Sequence, residues 1–262
     1  MKSSLASGIA LVSLIAFSIG ATAAEPTKQR RLKPGEFNPS NETVEAFAAM
    51  KAGQIEVRVV PKDVTGGKLL ITNKTDAPLN VKIPDAFATV HILAQGGSGV
   101  GNQFAGGIGG QAGAGSSGGA GIGNGAGGGG GGGGNFFNVA PEKVGELPYA
   151  HLCLEHGKPD PRAAMKYEMR PLESIAAQPE IRELAIMLGN KQVNGRVAQI
   201  MAWHICNNMS WEELAAKQVK HLGGSSTPYF STEEMQSAVR LNEYIVKQLE
   251  AREGESAALP KL

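Results

Sequence analysis

Residues 55–72, Ile-Glu-Val-Arg-Val-Val-Pro-Lys-Asp-Val-Thr-Gly-Gly-Lys-Leu-Leu-Ile-Thr, decide the fold class. Ile55, Val57 and Val59 alternate with Glu56, Arg58 and Val60, and a second apolar run follows Gly66-Gly67 at 68–72. Alternation with a period of two puts one set of side chains on one face of a strand, and the glycines between the runs supply a turn. Working outward, Leu79, Val81 and Ile83 alternate with Asn80 and Lys82, and residues 89–94 (TVHILA) form a fourth run. Short strands joined by turn chemistry predict an antiparallel β-sandwich or small barrel. Upstream, residues 43–53 (TVEAFAAMKAG) have helical spacing and end in glycine, which predicts a short capped helix.

A glycine tract, residues 96–134, interrupts this pattern. So glycine-rich a segment offers little apolar surface to offset the entropy of ordering it, and predicts a disordered insertion. A free chain of this length would span roughly 35 Å end to end. Its GxGxxG matches follow from composition and lack the strand-to-helix context of a phosphate loop. Strand character resumes at 135–140 and 147–154, so 42–157 reads as one β-domain carrying the insertion.

Past Gly157 the chain runs through a proline-rich extended stretch and then takes up helical periodicity. Residues 180–188 and 193–207 form two helices. Capping boxes at Ser210/Glu213 and Ser231/Glu234 open two more, running to about His221 and Arg252. The expected class is α+β: a β-domain with a Gly-rich insertion, then a small helical domain at 158–253 and a disordered tail at 254–262.

The N-terminus has the layout of an export signal: Lys2, an apolar stretch over 5–19 and Ala21-Thr22-Ala23 as a small-x-small cleavage site. Residues 1–23 read as a signal peptide and 24–41, rich in proline and basic residues, as a disordered leader. The expected location is secreted, periplasmic or cell-surface, with no transmembrane segment after cleavage. A formal charge of +1 gives no basic surplus, which argues against a nucleic-acid binder.

The chemistry concentrates at the only two cysteines, each beside histidine: His151-Leu152-Cys153-Leu154-Glu155-His156 and Trp203-His204-Ile205-Cys206. Outside the reducing cytoplasm a cysteine pair is a disulfide, a metal site or a reactive centre. A Cys153–Cys206 disulfide would close a loop of roughly 50 residues and stabilise by about 4 kcal/mol in the chain-entropy model. His151 and Cys153 share a strand face and His156 follows closely, a partial donor set for zinc or copper. His204 and Cys206 diverge by about 200° on a helix, so they do not chelate together. Cys153 with a histidine and Glu155 or Asp160 would make a thiol hydrolase. His91 reads as a strand histidine, and His221 as one complementing a helix C-terminus.

Gln199 adds a further reading. It sits in a largely apolar helix, and Gln199, Trp203 and Cys206 fall on one face at i, i+4 and i+7. A cysteine that attacks a glutamine carboxamide and expels ammonia leaves an internal thioester, which acylates a partner's amine and needs apolar shielding from water. Cys153, Gln199 and Trp203 supply these groups. Gln199 and Cys206 stand about 10 Å apart along a helix axis, so a rigid helix allows Cys153 the thioester or the disulfide, not both.

Leu152-Cys153-Leu154 with Ala198-Gln199-Ile200-Met201-Ala202-Trp203 resembles the paired motifs of thioester domains in bacterial surface adhesins, with Ala198 where threonine is usual and Met201 where alanine is usual. The resemblance implies a nucleophile at Cys153, an acyl carrier at Gln199, a shield at Trp203 and a partner offering a protein or surface amine, with no cofactor. More widely, CLEHGKPDP, AWH and SWEELAAK resemble a group of exported, planctomycete-type bacterial proteins, which implies export and a two-part layout. The expected role is binding or adhesion rather than turnover.

Overall fold

The computed structural model describes residues 37–92, 102–108 and 136–258. The expected signal peptide, most of the leader and most of the glycine tract lie outside these residues. The fold is mixed α+β, built on a closed six-stranded antiparallel barrel in the order β2-β3-β8-β6-β5-β9. Its strands are β2 (Ile55–Asp63), β3 (Gly66–Asn73), β5 (Ala86–His91), β6 (Gln103–Gly107), β8 (Val144–Cys153) and β9 (Tyr167–Arg170). A side sheet joins β1 (Glu42–Glu45), β4 (Leu79–Lys82) and β7 (Phe136–Val139). The helices are α1 (Ala46–Lys51), α2 (Pro179–Gly189), α3 (Gly195–Asn207), α4 (Trp211–Ala216) and α5 (Thr232–Ala258). Between α4 and α5 lies a hairpin of β10 (Gln218–Lys220) and β11 (Ser226–Pro228). Among the described residues no helix is long and apolar enough to cross a membrane.

Register sorts each barrel strand into two faces. Val59 pairs with Leu69, Leu69 with Leu147, Phe104 with Cys153, and Thr89 with both Phe104 and Met169. These residues, with Phe87, Tyr149, His151 and Tyr167, form the interior ring. The opposite face, with Ala86, Ala88, Ala105, Leu152 and Leu154, joins the core of the helical lobe, where Ile181, Leu184, Ile200 and Met201 are buried. Strand β8 therefore serves both cores, and Cys153 ends it in interior register.

Several expectations are corrected. Part of the tract expected to be disordered is β6, a strand inside the barrel. Its glycines permit close packing: a Cβ on Gly107 would stand 1.8 Å from the Ala185 carbonyl oxygen, and one on Gly189 would strike Gly107 and Ile108. Barrel strand β9 lies beyond residue 157, so the β-domain does not end there. The first helix starts at Ala46, after a short strand. Helix α4 stops at Ala216 because Lys217 turns extended (ψ 132°), and His221 therefore follows a strand, bonded to Thr227 Oγ1, rather than closing a helix. Helix α5 runs through residues 254–258 of the expected tail.

Candidate functional site

The site lies on the seam between β8 and α3. Asn194 caps α3 by accepting the Arg196 amide, and Val197, Ala198 and Ile200 to Trp203 bury the helix against barrel and lobe. Spacing of i, i+4 and i+8 leaves Gln199, Trp203 and Asn207 along one line facing the end of β8. The Cys153 amide donates to Gln199 Oε1 at 2.9 Å, and Gln199 Nε2 donates to the Cys153 carbonyl at 2.8 Å. Two turns on, the His156 amide donates to Asn207 Oδ1 at 2.8 Å, and Asn207 Nδ2 donates to the Leu154 carbonyl at 3.0 Å. Two carboxamides on a helix thus stand in for a neighbouring strand and satisfy four main-chain groups of residues 153–156, which would otherwise be costly to bury.

The Cys153 thiol is half-buried and donates to the Glu155 carbonyl at 3.1 Å. Burial raises its pKa. A backbone hydrogen bond at Glu155 and the Trp203 indole N–H favour the thiolate, while the charges of Glu155 and Asp160 oppose it. The Trp203 Nε1–H is buried without a hydrogen-bond partner of ordinary geometry, and its approach to the Cys153 sulfur is its polar contact on this side. A raised thiol is the reverse of what a thiol hydrolase needs, and the two carboxylates expected to assist one act against ionisation. Cys206, on the same helix, is pushed up to about 11 by burial and by the neighbouring Cys153 charge. Both cysteines are free thiols in the structure.

His151 and His156 part company. His151 is 2% exposed, stacked on Phe104 at 4.4 Å, and its Nε2–H reaches the Asp63 carbonyl at 2.9 Å. That bond fixes the tautomer and leaves Nδ1 as an acceptor without a partner. Burial pushes its pKa down to about 4. His156, past the strand end, is exposed and accepts the Lys217 ammonium at Nε2, 2.8 Å away. The expected metal set of His151, Cys153 and His156 is therefore not assembled: one imidazole faces the barrel interior and the other the outer surface. Among the described residues no group of three or more His, Cys, Asp or Glu converges for a metal ion.

Sequence reasoning passed over the groups around Trp203. His156 meets the indole edge-on at 4.7 Å, and Tyr229 and Phe230 lie at 5.9 and 5.8 Å. Arg196 fixes that aromatic pair, stacking over both rings while it binds Glu234 Oε1 at 2.5 Å and donates to the Tyr229 carbonyl. Asn207 was within reach from its i+8 spacing to Gln199; Lys217 and Tyr229 come from a hairpin with no apolar pattern. His204 is satisfied elsewhere, bonded to the Met209 carbonyl and stacked on Trp211 at 4.0 Å. No family model, curated protein or solved structure matches the chain.

Proposed function

We propose that this chain is an exported, adhesion-type interaction protein that binds a partner covalently, through an internal thioester between Cys153 and Gln199. The observation that supports the reading is the carboxamide of Gln199 held on the main chain of Cys153, beside a sulfur that Trp203 covers. In the forming step, the Cys153 sulfur bonds to Gln199 Cδ and the Cδ–Nε2 bond breaks. Ammonia leaves, carrying the thiol proton. Negative charge develops on Oε1, which already accepts the Cys153 amide, so a donor is in place where charge appears. In the binding step, a partner amine attacks the same carbon and the C–S bond breaks. An amide joins partner to Gln199, and the sulfur takes the amine's proton. A thiol of raised pKa is a poor leaving group, which preserves the bond until an amine is positioned, and the indole N–H assists the departing thiolate.

Intact mass of the unreduced chain, with and without methylamine, tests this. The expected result is a mass short by one ammonia, methylamine uptake at Gln199, and loss of both in Cys153→Ala. A full-length mass with no uptake sinks the reading.

A second reading has its own support, the nearness of the two thiols that makes the Cys153 charge act on Cys206. Here the two thiols oxidise to a disulfide, Gln199 only locks the strand end to α3, and the protein is a non-catalytic interaction domain. A mass short by two hydrogens and indifferent to methylamine selects it.

A further inference from the structure

Lys217 occupies an unusual place for a surface lysine. Its Nζ sits 5.4 Å from the centre of the Trp203 ring and 4.9 Å from that of Tyr229, and donates to His156 Nε2 at 2.8 Å. Its partners are two aromatic faces and one neutral acceptor rather than a carboxylate. Aromatic walls with a single hydrogen-bond acceptor are the chemistry of an ammonium site. The walls are held independently of their occupant. Trp203 is 7% exposed on α3, the Tyr229 amide donates to the Lys217 carbonyl at 2.8 Å, and Arg196 stacks over Tyr229 at 5.6 Å. The Lys217 backbone is held too, as the C-cap of α4, its amide donating to the Leu214 carbonyl. Only the flexible stem of Lys217 needs to move for the site to empty.

We propose that Trp203, Tyr229 and His156 form a recognition site for a primary ammonium group, with Lys217 as its resident plug. A partner's lysine displaces Lys217, and an adjoining open cleft of about 680 Å³, lined by Arg196, Ala215, Pro228, Tyr229, Phe230 and Met235 among others, admits the chain that carries it. His156, edge-on to Trp203 at 4.7 Å, accepts the ammonium's hydrogen bond. As the place where the amine is delivered to Gln199, this site rests on the thioester reading; as an ammonium site it does not.

The test is therefore set in a Cys153→Ala background, where no thioester forms. Methylammonium is titrated into Cys153→Ala/Lys217→Ala while the two indole N–H resonances are followed by NMR. The Trp203 resonance is expected to shift saturably and the Trp211 resonance to stay put. With Lys217 retained, the same shift should need at least tenfold more methylammonium. Adding Tyr229→Ala should weaken binding about tenfold as well. The proposal is overturned if Trp203 shows no saturable shift, if both indoles move together, or if the presence of Lys217 makes no difference. A check on the unsubstituted chain does not depend on the variants folding. Reductive methylation should modify Lys217 more slowly than exposed Lys220, and equal rates overturn the plug. Saturable binding without methylamine incorporation in the unsubstituted chain would remove the thioester and leave the ammonium site standing.

Discussion

The barrel interior around His151 and the seam around Trp203 both bury polar atoms, by opposite means. In the interior, His151 Nδ1, Tyr149 Oη and Thr89 Oγ1 have no partner of ordinary geometry, and the core around them comes from the barrel strands, α1 and the side sheet, without the helical lobe. At the seam, the main-chain groups of residues 153–156 are paired through Gln199 and Asn207, contributed by a helix from the other lobe. The interior keeps its unpaired atoms because close packing excludes alternatives, and its histidine answers by staying neutral. The main chain of the seam is satisfied only while two lobes stay docked, and the Trp203 indole N–H stays unpaired even then. One region is robust and chemically silent; the other depends on an interface, which is where exposure to a partner can be coupled to chemistry.

The largest expected effect undoes the docking itself. In Gly107→Val the new side chain meets the Ala185 carbonyl and the turn around Gly189, both backbone, which do not yield. The cost should be about 4 kcal/mol or more in urea unfolding. Hydrogen exchange should rise at the Cys153 and His156 amides before it rises in β3. Equal exchange in both regions would mean that barrel and helical lobe are a single cooperative unit and that the contrast has no energetic content.

Acid separates the two regions from the other side. His151 has a folded pKa of about 4 against 6.5 in the free side chain, so between these values the unfolded chain binds the extra proton. Stability is then full above about pH 6.5 and falls as pH drops toward 4, by about 3 kcal/mol in all. His151→Phe, which retains a ring to stack on Phe104, should flatten that limb while His156→Phe leaves most of it. An unchanged acid limb in His151→Phe would show that other groups carry it.

The seam answers to Gln199. Gln199→Leu keeps the volume of the side chain but leaves the Cys153 amide and carbonyl unpaired, at a cost of about 3 kcal/mol from two orphaned groups. The change should appear in the unfolding midpoint without altering the acid limb. A loss under about 0.5 kcal/mol would mean that water replaces the carboxamide, and the main-chain lock would lose its significance.

The two regions were unequally legible in the sequence, and the reasons are physical. Strand β2 alternates because one face of it is buried, β3 shows as an apolar run because both its faces are covered, and helices α2 to α5 announce themselves by periodicity and capping. Strand β6 was hidden because Gly and Ala carry no hydrophobic signature, yet their smallness is what lets α2 approach. Strand β9 is too short for its pattern to emerge after the prolines, and the β10–β11 hairpin is exposed on both faces, so nothing in it alternates. At the site, the i, i+4 relation of Gln199 and Trp203 pointed to the partner of Cys153, which register then placed at the end of β8. What the pattern does not carry is which nitrogen or oxygen a side chain offers to main chain. That is why the locking role of the carboxamides and the Lys217 box appear only in three dimensions. The His151/Cys153/His156 set failed for a related reason: alternation puts the first two inside the barrel, but the strand ends before His156.

The smallest expected effect gives the finest resolution of the contrast. Asn207 repeats the Gln199 lock two turns further along α3, but its partner His156 is exposed, so water can reach the amide that Asn207→Ala would free. An unpaired group that water can solvate costs far less than a buried one. Asn207→Ala should therefore lose about 1 kcal/mol, well under half the loss in Gln199→Leu. It should also loosen the His156 ring against Trp203, seen as a shift of the Trp203 indole resonance with the Cys153 amide still protected from exchange. If instead Asn207→Ala exposes Cys153 as fully as Gln199→Leu does, the two carboxamides act as one cooperative strand mimic. The depth of burial along the seam then sets neither of their energies.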